Sequence, residues 1–167
     1  MTYSCDFLLD RFASVPHHVA FIDSDEQFTF AWMLERIPEY EALLSEAGVQ
    51  RGNVVVVLAD YSPHVFCLML ATVSKGIIFA PLTSDSVVDS TAILDLAEAD
   101  WLIEFAKDPK DIRVVPRASR HKNFLLEEFR SRDRPGLLLF SSGSSGDPKG
   151  ILLDFGSVLE KFRVVRP

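Results

Sequence analysis

Val54–Leu58 is five consecutive apolar residues, four of them valine. A strand with one wet face alternates apolar and polar side chains. An unbroken β-branched run instead predicts a strand buried on both faces, as in a parallel sheet covered by helices on either side. The flanking segments fit that setting. Met33, Ile37, Tyr40 and Leu44 recur at helical spacing, with Thr29 placed to cap the start and Gly48 to end the helix in a left-handed conformation. Pro38 lies inside the pattern and is expected to kink or divide it. Ser62 and Pro63 read as N-cap and first residue of a second helix, with Val65, Phe66, Met69, Leu70 and Val73 facing inward and Gly76 closing it. A buried strand at 77–80, a helix at about 86–98, strands at 101–105 and 112–115 and a short helix at 123–130 follow. Ser24, Asp25 and Glu26 form a hairpin turn between 20–22 and 27–28. This alternating order predicts an α/β fold: a parallel, doubly wound sheet flanked by helices, with residues 1–167 forming one domain or subdomain.

The stretch Ser141, Ser142, Gly143, Ser144, Ser145, Gly146, Asp147, Pro148, Lys149, Gly150 lies between two short apolar runs at 137–140 and 151–153. It is expected to be a loop. Glycine permits close approach of backbone to a ligand, successive backbone N–H groups in such a turn form an anion-binding concavity, and hydroxyls add rotatable donors. Lys149 adds a full positive charge, and the combination suits polyphosphate. The Walker A pattern is not met, because Lys149 follows a proline and runs into an apolar strand rather than a helix. A flexible Gly/Ser linker is the competing reading. Two β-prone segments bracketing the stretch, with Pro-Lys-Gly directly before the second, argue against it.

Residues 141–150 resemble the phosphate-binding signature of the adenylate-forming superfamily, which comprises acyl-CoA synthetases, adenylation domains of peptide synthetases and luciferases. In that family a Ser/Thr- and Gly-rich stretch closed by Pro-Lys-Gly joins two strands. Upstream, Phe28-Thr29-Phe30, the segment from Gly48 to Val56 and the segment from Lys75 to Leu82 resemble further family segments in the right order. Asn53 stands where the family usually has aspartate, and Asp154-Phe155 replaces a frequent Ser/Thr-His pair. The resemblance implies the N-terminal portion of an AMP-binding domain, incomplete at its C-terminal end, from an ATP-dependent ligase. Such a ligase joins a carboxylic acid to AMP with release of pyrophosphate, then passes the acyl group to a thiol of CoA or a carrier protein. It further implies that Ser141, Ser142, Gly143, Ser144, Ser145, Gly146, Lys149 and Gly150 hold the ATP phosphates, with Mg²⁺ bridging phosphate oxygens. The family's adenosine-binding motifs and catalytic lysine lie further downstream, so this chain alone is expected to be inactive. A non-catalytic module that keeps the fold and binds a nucleotide or another protein is the alternative.

The remaining features exclude more than they assign. A net charge of −7 argues against nucleic acid, although a local loop on an acidic protein can still be electropositive. Cys5 and Cys67 lack paired spacing. Cys67 falls in an apolar helical pattern and is expected to be buried and inert, in keeping with a reducing, cytoplasmic compartment. His17, His18, His64 and His121 do not form a helical metal pair, and no metal site is expected. Asp23, Asp25 and Glu26 belong to a turn, and Trp32 and Trp101 read as core. Arg130, Arg132 and Arg134 are expected to solvate a loop rather than bind phosphate. Lys161, Phe162, Val164 and Val165 read as the start of a helix. No basic-then-apolar leader appears, and the longest apolar stretch is too short to span a bilayer.

Overall fold

The computed structural model describes residues 5–83, 90–106, 111–118, 123–142 and 148–164. Its elements run α1 (Asp6–Ser14), β1 (Val19–Asp23), β2 (Glu26–Thr29), α2 (Phe30–Ala47), β3 (Val54–Leu58), α3 (Pro63–Ser74), β4 (Ile78–Leu82), α4 (Ser90–Leu96), β5 (Trp101–Phe105), β6 (Ile112–Pro116), α5 (Phe124–Ser131), β7 (Gly136–Ser142), β8 (Pro148–Asp154) and α6 (Phe155–Glu160). β1 and β2 make a separate two-stranded hairpin, and the other six form one sheet in the order β6-β5-β3-β4-β7-β8.

The valine run is the middle of this sheet. β3 is parallel to β4 on one side and to β5 on the other. Its side chains alternate between two cores: Val55 and Val57 pack with Phe79, Ile103, α2 and α3, while Val54 and Val56 pack with Ile78, Ala80, α4 and α5. All four valines are 0–1% exposed. The α/β expectation holds, with one refinement. Only the inner pairs are parallel; β5–β6 and β7–β8 are antiparallel. A parallel crossover needs a dozen or more residues. Those two pairs are joined by only a few residues, so each returns as a hairpin.

Local signals account for the helix boundaries. Thr29 Oγ1 accepts from Trp32 N at 3.3 Å, and Gly48 takes φ 87° at the C-terminus of α2. Met33, Ile37, Tyr40 and Leu44 are all buried, as their spacing predicts. Pro38 does not divide α2, which runs unbroken from Phe30 to Ala47. An interior proline costs about 3 kcal/mol, whereas burying four large side chains placed before and after it contributes about 1.5–3 kcal/mol each. Ser62 Oγ accepts from Val65 N at 3.3 Å, with Pro63 in the first turn of α3. α3 is buried nearly all round because α2 covers the side turned away from the sheet. The β1–β2 turn places Ser24 and Asp25 at φ 47° and 73°, the double positive φ that a two-residue type I′ hairpin requires.

Two elements, α1 and α6, depart from expectation, and part of α4 is not described. α1 has no counterpart in the sequence reading; it docks through Phe12, stacked on Phe30 at 4.7 Å between ring centres. α4 is described from Ser90, and the earlier part of the expected helix lies outside the described residues. α6 ends at Glu160 and Lys161 caps it, so residues 161–164 are turn rather than helix; Val165 lies outside the described residues.

Arg130 joins the sheet to α5 instead of solvating a loop. Its Nη2 donates to Asp100 Oδ2 at 3.2 Å, its Nε to Gly52 O at 3.1 Å and its Nη1 to Glu127 Oε1 at 2.7 Å. Nη1 also lies 3.8 Å from Glu98 Oε2, a carboxylate 2% exposed whose Oε1 accepts from Asn123 N. Asp100 Oδ2 accepts in turn from Val54 N at 2.7 Å, so one guanidinium ties together the starts of β3, β5 and α5. Arg130→Met leaves three carboxylates without this cation, with Glu98 buried and Asp100 part-buried. We expect a loss of about 3 kcal/mol in urea unfolding, against a change under about 0.5 kcal/mol for the exposed Arg132→Gln.

Candidate phosphate-binding site

β7 runs parallel to β4, with Ile78 opposite Gly136 and Phe79 opposite Leu137. Its C-terminal end therefore points toward the same edge of the sheet as the C-terminal ends of β3 and β4. After β3 the chain passes through α3 on one face, and after β4 through α4 on the other. Ligand sites of open α/β sheets lie at such reversals, outside the carboxyl ends of the strands.

The strands reach further into the Gly/Ser stretch than its composition predicts. β7 continues to Ser142 and β8 begins at Pro148, with Phe140 opposite Gly150, Ser141 opposite Lys149 and Ser142 opposite Pro148. Ser141, Ser142, Lys149 and Gly150 are therefore strand residues rather than loop residues, because pairing satisfies backbone groups that a loop would leave to solvent. Gly143, Ser144, Ser145 and Gly146 lie outside the described residues, as does the Ser142 side chain. Ser141 and Lys149 are both exposed. Residues directly opposite in an antiparallel ladder have Cβ atoms about 5 Å apart on one face, so the Ser141 and Lys149 side chains leave the same face of the ribbon. Gly150 is extended and meets Leu138 Cδ1 at 3.4 Å where a Cβ would sit.

The root of the ribbon carries groups that motif reading passed over. Asp154 Oδ1 accepts from Ser157 N at 3.0 Å, which caps α6, and its Oδ2 pairs with Arg134. Asp154 thus caps the helix and takes a cation as well. Phe155 is buried with Cys5, Val73 and Leu159. The signal available in sequence was the departure at 154 itself, without its partner twenty residues earlier. Asn53 fills a similar place: its Oδ1 accepts from Gln50 N at 2.9 Å and from Trp101 Nε1 at 3.1 Å. An amide oxygen is sufficient for that role.

Other candidates resolve into structure. His64 Nδ1 is 2.8 Å from the Tyr40 hydroxyl, and its ring meets Trp32 edge-on at 4.9 Å. His17 and His18 are exposed; His121 lies outside the described residues. Among the described residues no three His, Cys, Asp or Glu side chains cluster so as to hold a metal, and no helix is long and apolar enough to cross a membrane.

Residues 9–166 match the family described as AMP-binding enzyme. Among curated proteins, bacitracin synthase 2 of Bacillus licheniformis is 26% identical over 156 residues, covering 90% of this chain and 6% of that protein. L-proline--[L-prolyl-carrier protein] ligase of Pseudomonas fluorescens is 25% identical over 172 residues, covering 91% of this chain and 34% of the ligase. Among solved structures, the N-terminal subdomain of Klebsiella oxytoca NpsA in complex with 3-hydroxyanthranilyl-AMSN aligns over 90% of this chain and 40% of its own, with a TM-score of 0.68 at 21% identity. VinN in complex with 3-methylaspartate gives a TM-score of 0.70 at 19% identity, over 92% of this chain and 48% of its own. These structural likenesses establish the fold. The chain spans about a third or less of the curated relatives and less than half of these solved chains.

The thiols stay outside the chemistry. Cys67 is 0% exposed and burial pushes its pKa up to about 12; burial likewise raises Cys5, 1% exposed, to about 11. The thiolate is the reactive form. We expect neither to be alkylated by iodoacetamide in the folded protein at pH 8 and both to be alkylated in urea, read by intact mass.

Proposed function

Because this chain belongs to the AMP-binding enzyme family, we propose that it is the N-terminal portion of an ATP-dependent, acyl-adenylate-forming ligase, and that the β7–β8 ribbon and the residues it joins hold the β- and γ-phosphates of ATP. The observation that carries this reading is the ladder register. It sets Ser141 against Lys149 at the carboxyl edge of the sheet, at the two ends of a Gly- and Ser-rich segment. Backbone N–H groups and hydroxyls of Ser142, Gly143, Ser144, Ser145 and Gly146 supply donors, and Lys149 supplies the charge that balances pyrophosphate as it departs.

In the proposed reaction a carboxylate oxygen attacks the α-phosphorus. A bond forms from that oxygen to phosphorus, the bond to the β-phosphate bridging oxygen breaks, and pyrophosphate leaves with the electron pair. Negative charge moves onto the departing group, and fixed donors aimed there lower the barrier. Mg²⁺, when bound, neutralises phosphate charge. It would arrive with the nucleotide, the usual habit of this ion. The acceptor we favour is the thiol of a carrier protein rather than CoA, since an L-proline--[L-prolyl-carrier protein] ligase is among the relatives. This chain alone is proposed to be inactive and to bind chiefly phosphate.

Isothermal titration calorimetry of the 167-residue chain with Mg·ATP, Mg·tripolyphosphate and adenosine tests the reading. ATP and tripolyphosphate are expected to bind with similar affinity and adenosine not at all, and Lys149→Ala is expected to weaken both by about tenfold, the effect of losing one charged donor. Binding of adenosine equal to that of ATP, or indifference to Lys149→Ala, would count against it. ATP–pyrophosphate exchange upon mixing with a complementary C-terminal fragment separates a ligase portion from a binding module.

A further inference from the structure

Among the described residues, the ribbon that carries Ser141 and Lys149 is paired to the sheet by backbone hydrogen bonds only near its root, while Phe140 and Leu152 pack against one core from a single face. The ladder between β4 and β7 pairs Gly136 and Leu137 and goes no further, whereas β7 and β8 stay paired with each other up to Ser142 and Pro148. On one face Leu138 is buried against Leu126 and Phe129. On the other face the cross-strand pair Leu139 and Ile151 is 36% and 50% exposed. Between Leu137 and Ser141 the ribbon advances about 13 Å. At that length a tilt of about 5° at the root displaces its end by about 1 Å, enough to matter for aligned groups.

Three contacts fix the root. Gly136 N donates to Ile77 O at 3.2 Å, and a Cβ on Gly136 would lie 2.9 Å from Ile78 Cγ1 and 3.0 Å from Phe129 Cε1, so the strand sits as close as glycine allows. Phe155 N donates to Pro135 O at 2.9 Å. Arg134 pairs with Asp154, the ladder partner of Gly136. The first two contacts are backbone and packing. The third is a directional, part-buried charge pair, 25% and 19% exposed at the side chains, that bridges the two strands just where they meet the sheet.

We infer that Arg134 and Asp154 are positioning residues, a bracket that sets the angle at which the ribbon presents Ser141 and Lys149. The inference rests on the phosphate-binding reading for its purpose, but its geometry stands without a ligand. The bracket is separable from helix capping, because asparagine caps as well as aspartate: Asp154→Asn keeps the cap on α6 and removes the charge.

The test is an amide NMR spectrum of the ligand-free 167-residue chain. In Asp154→Asn and in Arg134→Gln the Ser141 and Lys149 amides are expected to shift although they lie five or more residues from either change, with the melting temperature within about 4 °C of the original. Arg134→Lys keeps the charge and is expected to restore both positions. Arg132→Gln, which breaks only the exposed pair with Glu128, is expected to move neither. Unmoved Ser141 and Lys149 amides in both Asp154→Asn and Arg134→Gln would overturn the inference. Titration with Mg·tripolyphosphate then reads the consequence, an affinity about tenfold weaker in those two variants. If the unaltered chain does not respond to tripolyphosphate, the phosphate reading fails, while the ligand-free spectra still decide the bracket.

Discussion

Burial of one strand on both faces organises this molecule. β3 has no polar side to give to solvent, so two helical layers must form, and the chain supplies α2 and α3 to one face and α4 and α5 to the other. Laying successive crossovers on opposite faces produces the reversal between β3 and β4 at their carboxyl ends. The candidate site follows from this: β7 joins beside β4 and ends on that same side. The polar elements are subordinate to the apolar division but complete it. Arg130 closes the far end of the sheet by pairing the carboxylates that β5 and the turn before it would otherwise bury alone.

Much of this was legible because it is local. Caps, the left-handed glycine, the apolar stripe of α2 and the two-faced strand each occupy a few consecutive residues and obey fixed periods. Pro38 does not divide α2 because the burial on either side of it opposes the local propensity. The antiparallel outer pairs were hidden for another reason: an alternating order of strands and helices says nothing about connections too short to hold a helix. The ion pairs were not legible at all. Arg130 with Asp100 and Arg134 with Asp154 bridge thirty and twenty positions, and each arginine looked like an ordinary surface charge until its carboxylate was in place. At the candidate site, residue types announced the chemistry, but composition blurred the boundary between loop and strand. Ser141, Lys149 and Gly150 proved to be ladder residues.

The phosphate binding proposed for a chain with a net charge of −7 requires local order in the charges, since the general field opposes an anion. Carboxylates at the ribbon's root and along α5 are matched with arginines: Asp154 with Arg134, Glu128 with Arg132, Glu127 with Arg130. Neutralising them there leaves Lys149 as the cation at the opposite end of the ribbon among the described residues.

The division of valines between two cores makes the placement of β3 a matter of odd and even. Val54 and Val56 belong to one core, Val55 and Val57 to the other, and a shift by one residue would send each to the wrong side. Asn53 and Asp100 hold the strand's first residues by hydrogen bonds to Gln50, Trp101 and Val54, so the turn before β3 works as a counter. Descendants of such a sequence can lengthen or shorten most surface turns freely, but here a single inserted or deleted codon changes parity, and only changes in twos leave inside and outside as they were.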